Sequence, residues 1–222
     1  GQCIEQYGVG EPYMPVLEAL ARLCREPGGE HLVTLLRRHA PTWLVQMPTL
    51  LPTAELEILQ RQTQGVMRER MLREMGEAID AITAERPLVL ILEDLHWSDA
   101  STLELLALLA RRREPARLLV IGTYRPVDII VQEHPLRVVK QELQLHGLCA
   151  ELPLGLLSET QVAEYLEQRF RAGATGQAPL PSLVKVIHRR TDGNPLFMVT
   201  DVEDLIAQKV LVQQDGQWIV QE

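Results

Sequence analysis

Five consecutive aliphatic residues followed directly by two acids constrain the fold of this chain more than any other stretch. The apolar run LVLIL spans residues 88–92, and Glu93 and Asp94 come immediately after it. A short continuous apolar run is typical of a strand that is buried on both faces of a parallel sheet. Pro87 precedes the run, at a position where a missing backbone N–H disrupts a sheet least. The stretch therefore predicts a central strand of an α/β fold, with paired carboxylates at its carboxyl end.

Glu93 and Asp94 would lie where open α/β sheets bind their ligands, in the crevice outside the carboxyl ends of the strands. A hydrophobic strand that ends in two acids is the Walker B pattern of nucleoside triphosphatases. In that pattern one acid holds Mg²⁺, directly or through water, and the other polarises the attacking water. The alternative interpretation is a buried strand that simply ends in a polar turn.

The overall composition excludes several classes of function. The hydrophobic content of 46% and charged content of 23% are typical of an ordinary globular protein. A net charge of −8 argues against a nucleic-acid surface, which needs clustered lysine and arginine. No apolar run is long enough to span a bilayer, so a membrane partner is not expected. The cysteines form no CxxC pair, which argues against disulfides or a zinc site and favours a cytoplasmic location.

The order of the predicted elements indicates an α/β sheet that is followed by a helical region. Strands are expected at residues 1–7, 88–93, 117–124 and 148–154. Helices are expected at residues 15–26, 31–39, 53–85 with a break near Gly65, 103–112 and 134–146. Residues 41–52 carry no charge and contain three prolines, which predicts an irregular apolar loop. Strands that alternate with helices are typical of a parallel sheet, in which we expect the first three strands to be contiguous.

The composition changes after residue 157. Further helices are predicted at residues 158–171, 182–190 and 195–210. Thr53, Ser101 and Ser158 are expected to cap helices, the last two through capping boxes. Two β-prone runs around an Asp-Gly pair predict a hairpin over residues 210–220. A helical region that ends in a hairpin suggests the start of a winged helix.

Two further stretches carry candidate chemistry. Arg125 follows the strand predicted at residues 117–124, so parallel pairing would place it at the same sheet edge as the two acids. A planar guanidinium suits phosphate recognition, although a surface ion pair is the alternative for Arg125. Asn194 and Pro195 follow Gly193 and form a sound helix start, with Asn194 as the cap and Pro195 in the first turn. That structural role would suffice to explain them.

Taken together, residues 90–99, 122–128 and 191–197 resemble the Walker B, sensor-1 and GxP motifs of STAND-type AAA-like ATPases. These are signal-transduction P-loop NTPases found in large bacterial transcriptional activators and adenylate-cyclase-linked regulators. The resemblance implies an ATP-driven switch that uses Mg²⁺, binds ATP or ADP and contacts other domains of its own chain; a homo-oligomer is one assembly it allows. It also implies an AAA-like nucleotide-binding core at residues 1–157, a helical lid at 158–210 and the start of a winged-helix-like region at 211–222.

The resemblance assigns roles to the candidate residues. Glu93 and Asp94 would serve Mg²⁺ binding and water activation, although which acid holds the metal stays open. Arg125 would sense the γ-phosphate, and the Asn194–Pro195 pair would bind the nucleotide, with Pro195 against the adenine. His96 and Trp97 also match the family, and we expect them to pack beneath the site.

One family motif is absent from this sequence. The phosphate-cradling loop G-x-x-x-x-G-K-[ST] needs a lysine after a glycine, and Lys140, Lys185 and Lys209 do not follow one. The chain begins with Gly1 rather than Met, and we expect it to be a fragment that starts at the family's second strand. Such a fragment would bind ATP weakly and hydrolyse none. The alternative function is a nucleotide-independent interaction module on a degenerate AAA-like scaffold; the residues upstream would distinguish the two.

Overall fold

The structure, a computed structural model, describes residues 1–5, 11–65, 67–112, 114–171, 181–214 and 217–220. The chain divides into two units, residues 1–150 and residues 151–222. Each unit has its own hydrophobic core.

Helices open the first unit, and their apolar residues recur at helical spacing. They are α1 Met14–Arg25, α2 Gly29–His39, α3 Pro41–Val45, α4 Thr53–Gln62 and α5 Arg68–Glu85. The predicted break near Gly65 is confirmed, and Gly65 has a positive φ of 76° there. The loop predicted at 41–52 is wrong in part, because it contains α3 and a single 3-10 turn, Pro48–Leu50. Thr53 is not a cap: it is the first residue of α4, and the cap position belongs to Pro52.

Two parallel strands form the sheet of the first unit. These are β1 Leu88–Leu92 and β2 Leu118–Gly122, which pair in register from Leu88 with Leu118 to Leu92 with Gly122. The predicted adjacency of these strands is therefore confirmed. The strand predicted at residues 1–7 is reduced to one parallel bridge between Gln2 and Glu93, and residues 6 and 7 lie outside the described residues. The bridge still lies on the predicted side of β1, away from β2.

The prediction that β1 is buried on both faces is wrong. Leu92 is fully buried, but Val89 and Ile91 are 55% and 47% exposed. Leu119 and Ile121 of β2 stand opposite them and are also exposed. Leu88, Leu90 and Leu118 pack against the core on the other face. Both faces of this two-stranded sheet are apolar. In the described part of the chain, the core covers only one of the two faces.

The helices after β1 differ from prediction at their ends. They are α6 Ala100–Ala110, α7 Pro126–Val131 and α8 Leu136–Leu145. Asp99 caps α6 instead of the predicted Ser101, since its Oδ1 accepts a hydrogen bond from the Thr102 backbone N–H at 2.9 Å. The helix predicted at residues 134–146 is α8, whereas α7 was not predicted.

No strand forms over the described residues 148–154, so that prediction is wrong. Leu152 and Leu154 are instead 83% and 88% exposed. A strand exists only where a neighbouring backbone accepts and donates its hydrogen bonds. The described chain offers this segment no such neighbour, and its apolar pattern alone does not create one.

The second unit is helical and ends in a hairpin. Its elements are α9 Glu159–Arg171, α10 Pro181–Thr191, α11 Pro195–Ala207, β3 Leu211–Gln214 and β4 Gln217–Val220. The capping box is confirmed: Ser158 Oγ accepts from the Gln161 N–H at 3.3 Å, and Gln161 Oε1 accepts from the Ser158 N–H at 2.9 Å. β3 and β4 pair antiparallel as the hairpin pattern predicted, and the turn residues 215 and 216 lie outside the described residues.

Candidate functional site

Backbone hydrogen bonds join the carboxyl ends of β1 and β2. The Thr123 N–H donates to the Leu92 carbonyl at 3.0 Å, and the Leu95 N–H donates to the Thr123 carbonyl at 2.8 Å. The Asp94 N–H donates to Thr123 Oγ1 at 3.1 Å. Thr123 therefore accepts hydrogen bonds from the backbone N–H groups of Asp94 and of the next residue, Leu95. Sequence reasoning assigned no role to Thr123, although a hydroxyl residue directly after an apolar strand is a signal that could have found it.

Asp94 turns the chain out of β1. Its φ of 58° and ψ of 43° lie in the left-handed region, and the 3-10 turn Leu95–Trp97 follows at once. Short polar residues such as Asp and Asn adopt this conformation more readily than other side chains. Glu93 is exposed and Asp94 half-buried, and neither pairs with a cation that the structure describes within ion-pair distance. Both carboxylates can therefore accept a further ligand.

Gly122 allows this turn to pack against β2. A Cβ at that position would lie 2.3 Å from Leu95 Cδ1, which is closer than any real Cβ contact. A side chain at residue 122 would have to displace the end of the Leu95 side chain.

Arg125 follows β2 and is held at two points. Its backbone N–H points at His96 Nδ1 at 3.4 Å, and its guanidinium carbon lies 5.7 Å from the centroid of the Trp97 ring. His96 is fully buried, and its Nε2 lies 3.4 Å from Asp128 Oδ2 of α7. The expected packing of His96 is confirmed by this burial. Its contact with the Arg125 backbone, which sequence reasoning missed, links the ends of the two strands.

A cavity of about 350 Å³ lies beside the turn. Its lining includes the acids Glu5, Glu11 and Asp99 and no lysine or arginine among the described residues, so it does not suit a triphosphate. Cys3 also lines it, and burial, with the charges of Asp99 and Asp94, raises the pKa of this thiol to about 11. His134 closes another part of the wall, and burial lowers the pKa of its imidazole.

Glu93 and Asp94 could hold Mg²⁺ only if water and the phosphates of a nucleotide supplied the remaining ligands. Among the described residues, no three His, Cys, Asp or Glu side chains form a cluster that could hold a metal ion. Mg²⁺ in nucleotide sites commonly takes one or two protein carboxylates and completes its shell with water and phosphate oxygens. The two acids match that requirement, and a metal site built from protein alone does not exist in the described part of the chain.

Asn194 and Pro195 lie in the second unit, whereas the acids and Arg125 lie in the first. Asn194 Oδ1 accepts hydrogen bonds from the backbone N–H groups of Leu196 at 3.0 Å and Phe197 at 3.3 Å, which confirms its cap role. Gly193 has a φ of 71°, and a Cβ there would lie 2.1 Å from the Leu157 carbonyl oxygen. The cap and the glycine together hold the exposed Pro195 in the first turn of α11.

Comparison with known proteins places the chain in a family. The AAA ATPase domain family matches residues 1–121, which is more than half of the chain and includes Glu93 and Asp94. No curated protein and no solved structure matches it. None of the helices that the structure describes has both the length and the apolar character needed to cross a membrane. Proteins of the matched family generally use ATP and Mg²⁺, in agreement with a parallel sheet whose carboxyl edge carries two free acids. The chain belongs to the AAA ATPase domain family.

Proposed function

We propose that this chain supplies the carboxylate side of the ATP-hydrolysing site in a STAND-type signalling ATPase. One observation carries the proposal: the parallel pairing of β1 and β2, with Thr123 bonded to the Asp94 N–H, brings Glu93, Asp94 and Arg125 to one edge of the sheet. The parent protein would be an ATP-dependent switch of a multidomain signalling or transcription regulator.

Glu93 and Asp94 would divide two tasks between them. One carboxylate would hold the Mg²⁺ of Mg-ATP, directly or through water, and the other would orient and polarise the attacking water. Hydrogen bonds restrain the backbone of both acids: the Glu93 N–H donates to the Gly1 carbonyl at 2.9 Å, and the Asp94 N–H donates to Thr123 Oγ1 at 3.1 Å. Mg²⁺, when bound with the nucleotide, would neutralise charge on the phosphates.

Arg125 would sense the γ-phosphate. Its guanidinium lies over the Trp97 ring, within the range of a cation–π contact, so part of its freedom is already restricted before it meets an anion. The side chain is nevertheless exposed and able to reach a phosphate oxygen.

Asn194 and Pro195 would serve adenine binding, as the family resemblance implies. The apolar ring of Pro195 is exposed, and the neighbouring Leu196 and Phe197 are 70% and 59% exposed. The exposed Pro195 ring at the start of α11 offers an apolar surface on which a flat base can stack. Asn194 would act through the cap that holds this turn in place.

Because the sequence has no phosphate-cradling lysine loop, we expect these 222 residues to have a low affinity for Mg-ATP. A micromolar ligand corresponds to about 8 kcal/mol of binding free energy. A phosphate-cradling loop contributes charge-assisted bonds worth roughly 1.5–3 kcal/mol each, so about four of them supply roughly 6–12 kcal/mol. The sequence contains no G-x-x-x-x-G-K-[ST] segment. We therefore expect the 222-residue chain alone to bind Mg-ATP more weakly than about 1 mM, which corresponds to about 4 kcal/mol.

Calorimetry and phosphate release test the proposal on two proteins, the 222-residue chain and the natural gene product that carries this sequence. We expect binding and hydrolysis only in a protein that also contains the lysine loop. Asp94→Asn in that protein should lower kcat by at least about 100-fold and change nucleotide affinity far less, because Asn keeps the left-handed turn and loses the charge. Glu18→Gln is the matched control, since it removes one exposed carboxylate from α1 and should leave kcat unchanged.

Two results would contradict the proposal. A micromolar isotherm for the 222-residue chain would mean that the phosphate site lies within these residues. A natural gene product that binds no ATP would favour the alternative function, a nucleotide-independent interaction module.

A further inference from the structure

His96 connects the two strand ends that the proposed function requires. We propose that His96 is a positioning residue, which holds Arg125 in place relative to Glu93 and Asp94. This inference rests on the proposed function, since it concerns the same site. It gives His96 a role beyond the packing that its burial alone would explain.

The geometry places one imidazole between two loops. His96 lies two residues after Asp94, and it is 0% exposed. Its Nδ1 accepts the Arg125 N–H at 3.4 Å across a separation of 29 residues in sequence. Accepting at Nδ1 places the proton of the neutral ring on Nε2, which lies 3.4 Å from Asp128 Oδ2. The ring therefore contacts both the residue before α7 and α7 itself.

Arg125 is held at its backbone by His96 and at its side chain by Trp97. The guanidinium lies over the Trp97 ring at 5.7 Å, and the rings of His96 and Trp97 are 4.5 Å apart. Neighbouring residues of one 3-10 turn thus hold both ends of the same arginine. That turn begins directly after Asp94, so a shift of the acids and a shift of the arginine are mechanically linked.

An apolar residue at position 96 would fill the space and lose this link. Phenylalanine keeps a flat ring, one heavy atom larger than that of histidine, but it offers no acceptor to the Arg125 N–H. The arginine would then move relative to the acids, and a displacement of about 1 Å in a catalytic group can lower the rate about 100-fold. Contacts that bind the nucleotide elsewhere would persist, so the loss should appear in kcat rather than in KM.

Three variants of the natural gene product test the inference through ATP hydrolysis. His96→Phe should lower kcat about tenfold or more, with KM within about threefold of the parent value. His96→Asn should restore kcat to within about threefold, because its Oδ1 lies near the position of Nδ1 and can accept the Arg125 N–H. His134→Asn is the matched control: it removes a second imidazole of the same cavity, one that contacts the Ser98 carbonyl at 3.1 Å, and it should leave kcat unchanged.

Hydrogen exchange of the Arg125 amide provides a readout that needs no nucleotide. Exchange should be faster in His96→Phe than in the parent protein and in His96→Asn. If His96→Phe does not fold, His96→Gln takes its place, because the Gln amide reaches the position of Nε2 and leaves the Nδ1 position empty.

The inference is overturned if kcat in His96→Phe, or in His96→Gln where that variant replaces it, equals kcat in the parent protein. Equal losses of kcat in His96→Phe and His96→Asn, in step with their melting temperatures, also overturn it, because they indicate packing alone. A parent protein that hydrolyses no ATP overturns the proposed function instead. In that case amide exchange alone decides whether His96 holds Arg125, and equal exchange in all variants decides against it.

Discussion

At the residue scale, Asp94 meets a chemical and a conformational requirement at one position. Its carboxylate ends a hydrophobic strand, and its backbone takes the left-handed conformation that starts the next turn. Asp and Asn adopt this conformation more readily than other non-glycine residues, because their short polar side chains can hydrogen-bond to nearby backbone. The place of Asp94 at the end of a strand was predicted from the apolar run that precedes it. Its φ of 58° and the hydrogen bond from its N–H to Thr123 of the β2 end were not predicted.

The three cysteines differ in their expected reactivity. Burial raises the pKa of both Cys3 and Cys24 to about 11, and Cys149 is half-buried. Because the thiolate is the nucleophile, iodoacetamide at pH 8 should label Cys149 in the native protein and reach the other two thiols only after unfolding. Mass spectrometry of the labelled protein measures this, and Cys149→Ser should abolish the native label. Rapid native labelling of Cys3 would contradict the prediction.

The raised pKa of Cys3 makes the free energy of unfolding depend on pH. A thiol whose pKa is higher in the folded state than in the unfolded state stabilises the fold while the pH is below the unfolded value near 9. That contribution is lost as the pH rises from about 9 through about 11. The free energy of unfolding should therefore fall over this range, and less steeply in Cys3→Ala.

At the element scale, α3 shows how a distant carboxylate stabilises a short helix. A helix of five residues is not stable by itself. Glu74 of α5 accepts hydrogen bonds from the Thr42 N–H at 2.9 Å and the Thr42 hydroxyl at 3.0 Å, and it also pairs with Arg70 Nε at 2.9 Å. The Trp43 indole N–H donates to the Met71 carbonyl at 2.8 Å. Both contacts join α3 to α5.

Glu74→Ala should therefore destabilise the protein by about 1–3 kcal/mol, since it leaves the partly buried Thr42 N–H without its acceptor. Denaturant unfolding measures the change. Glu77→Ala is the matched control: Glu77 is exposed on the same helix, and its removal should change the free energy of unfolding by less than about 0.5 kcal/mol. Equal effects of the two substitutions would show that the hydrogen bonds between Thr42 and Glu74 contribute nothing to stability.

At the scale of the whole molecule, the open face of the sheet governs association. Val89, Ile91, Leu119 and Ile121 form an exposed apolar surface on two strands, and β2 lies at the edge of this sheet in the described residues. Exposed apolar faces and open strand edges promote pairing with another chain. We expect the 222-residue chain to self-associate or to be marginally stable.

The double variant Val89→Thr/Ile121→Thr should shift the chain towards a monomer in light scattering, because threonine keeps the β-branched shape and adds a hydroxyl to this face. Val186→Thr, at an exposed valine of α10, is the control and should leave association unchanged. A parent chain that is a clean monomer with a sharp cooperative melt would contradict the prediction.

Sequence patterns sufficed where neighbouring residues determine the structure. The apolar runs of β1 and β2, the capping box of α9, the Asn194 cap and the β3–β4 hairpin all depend on residues a few positions apart. The wrong caps, Thr53 and Ser101, missed the cap positions Pro52 and Asp99 by one and two residues. The larger failures were the strand expected at 148–154, the full burial of β1 and the loop that contains α3. Each of these depends on a partner that lies far away in sequence, and local periodicity carries no information about that partner.

The sequence by itself determined that two acids follow one apolar strand and that an arginine follows the next, because covalent order places them there. The shared edge was predicted from the order of the elements, and the pairing of β1 with β2 confirms it. Only the tertiary structure shows that His96 joins the two strand ends. Parallel pairing aligned Leu92 with Gly122, and burial brought the His96 ring against the Arg125 backbone across 29 residues. Such contacts arise when separate elements bury their apolar faces together, and no pattern within either element specifies them.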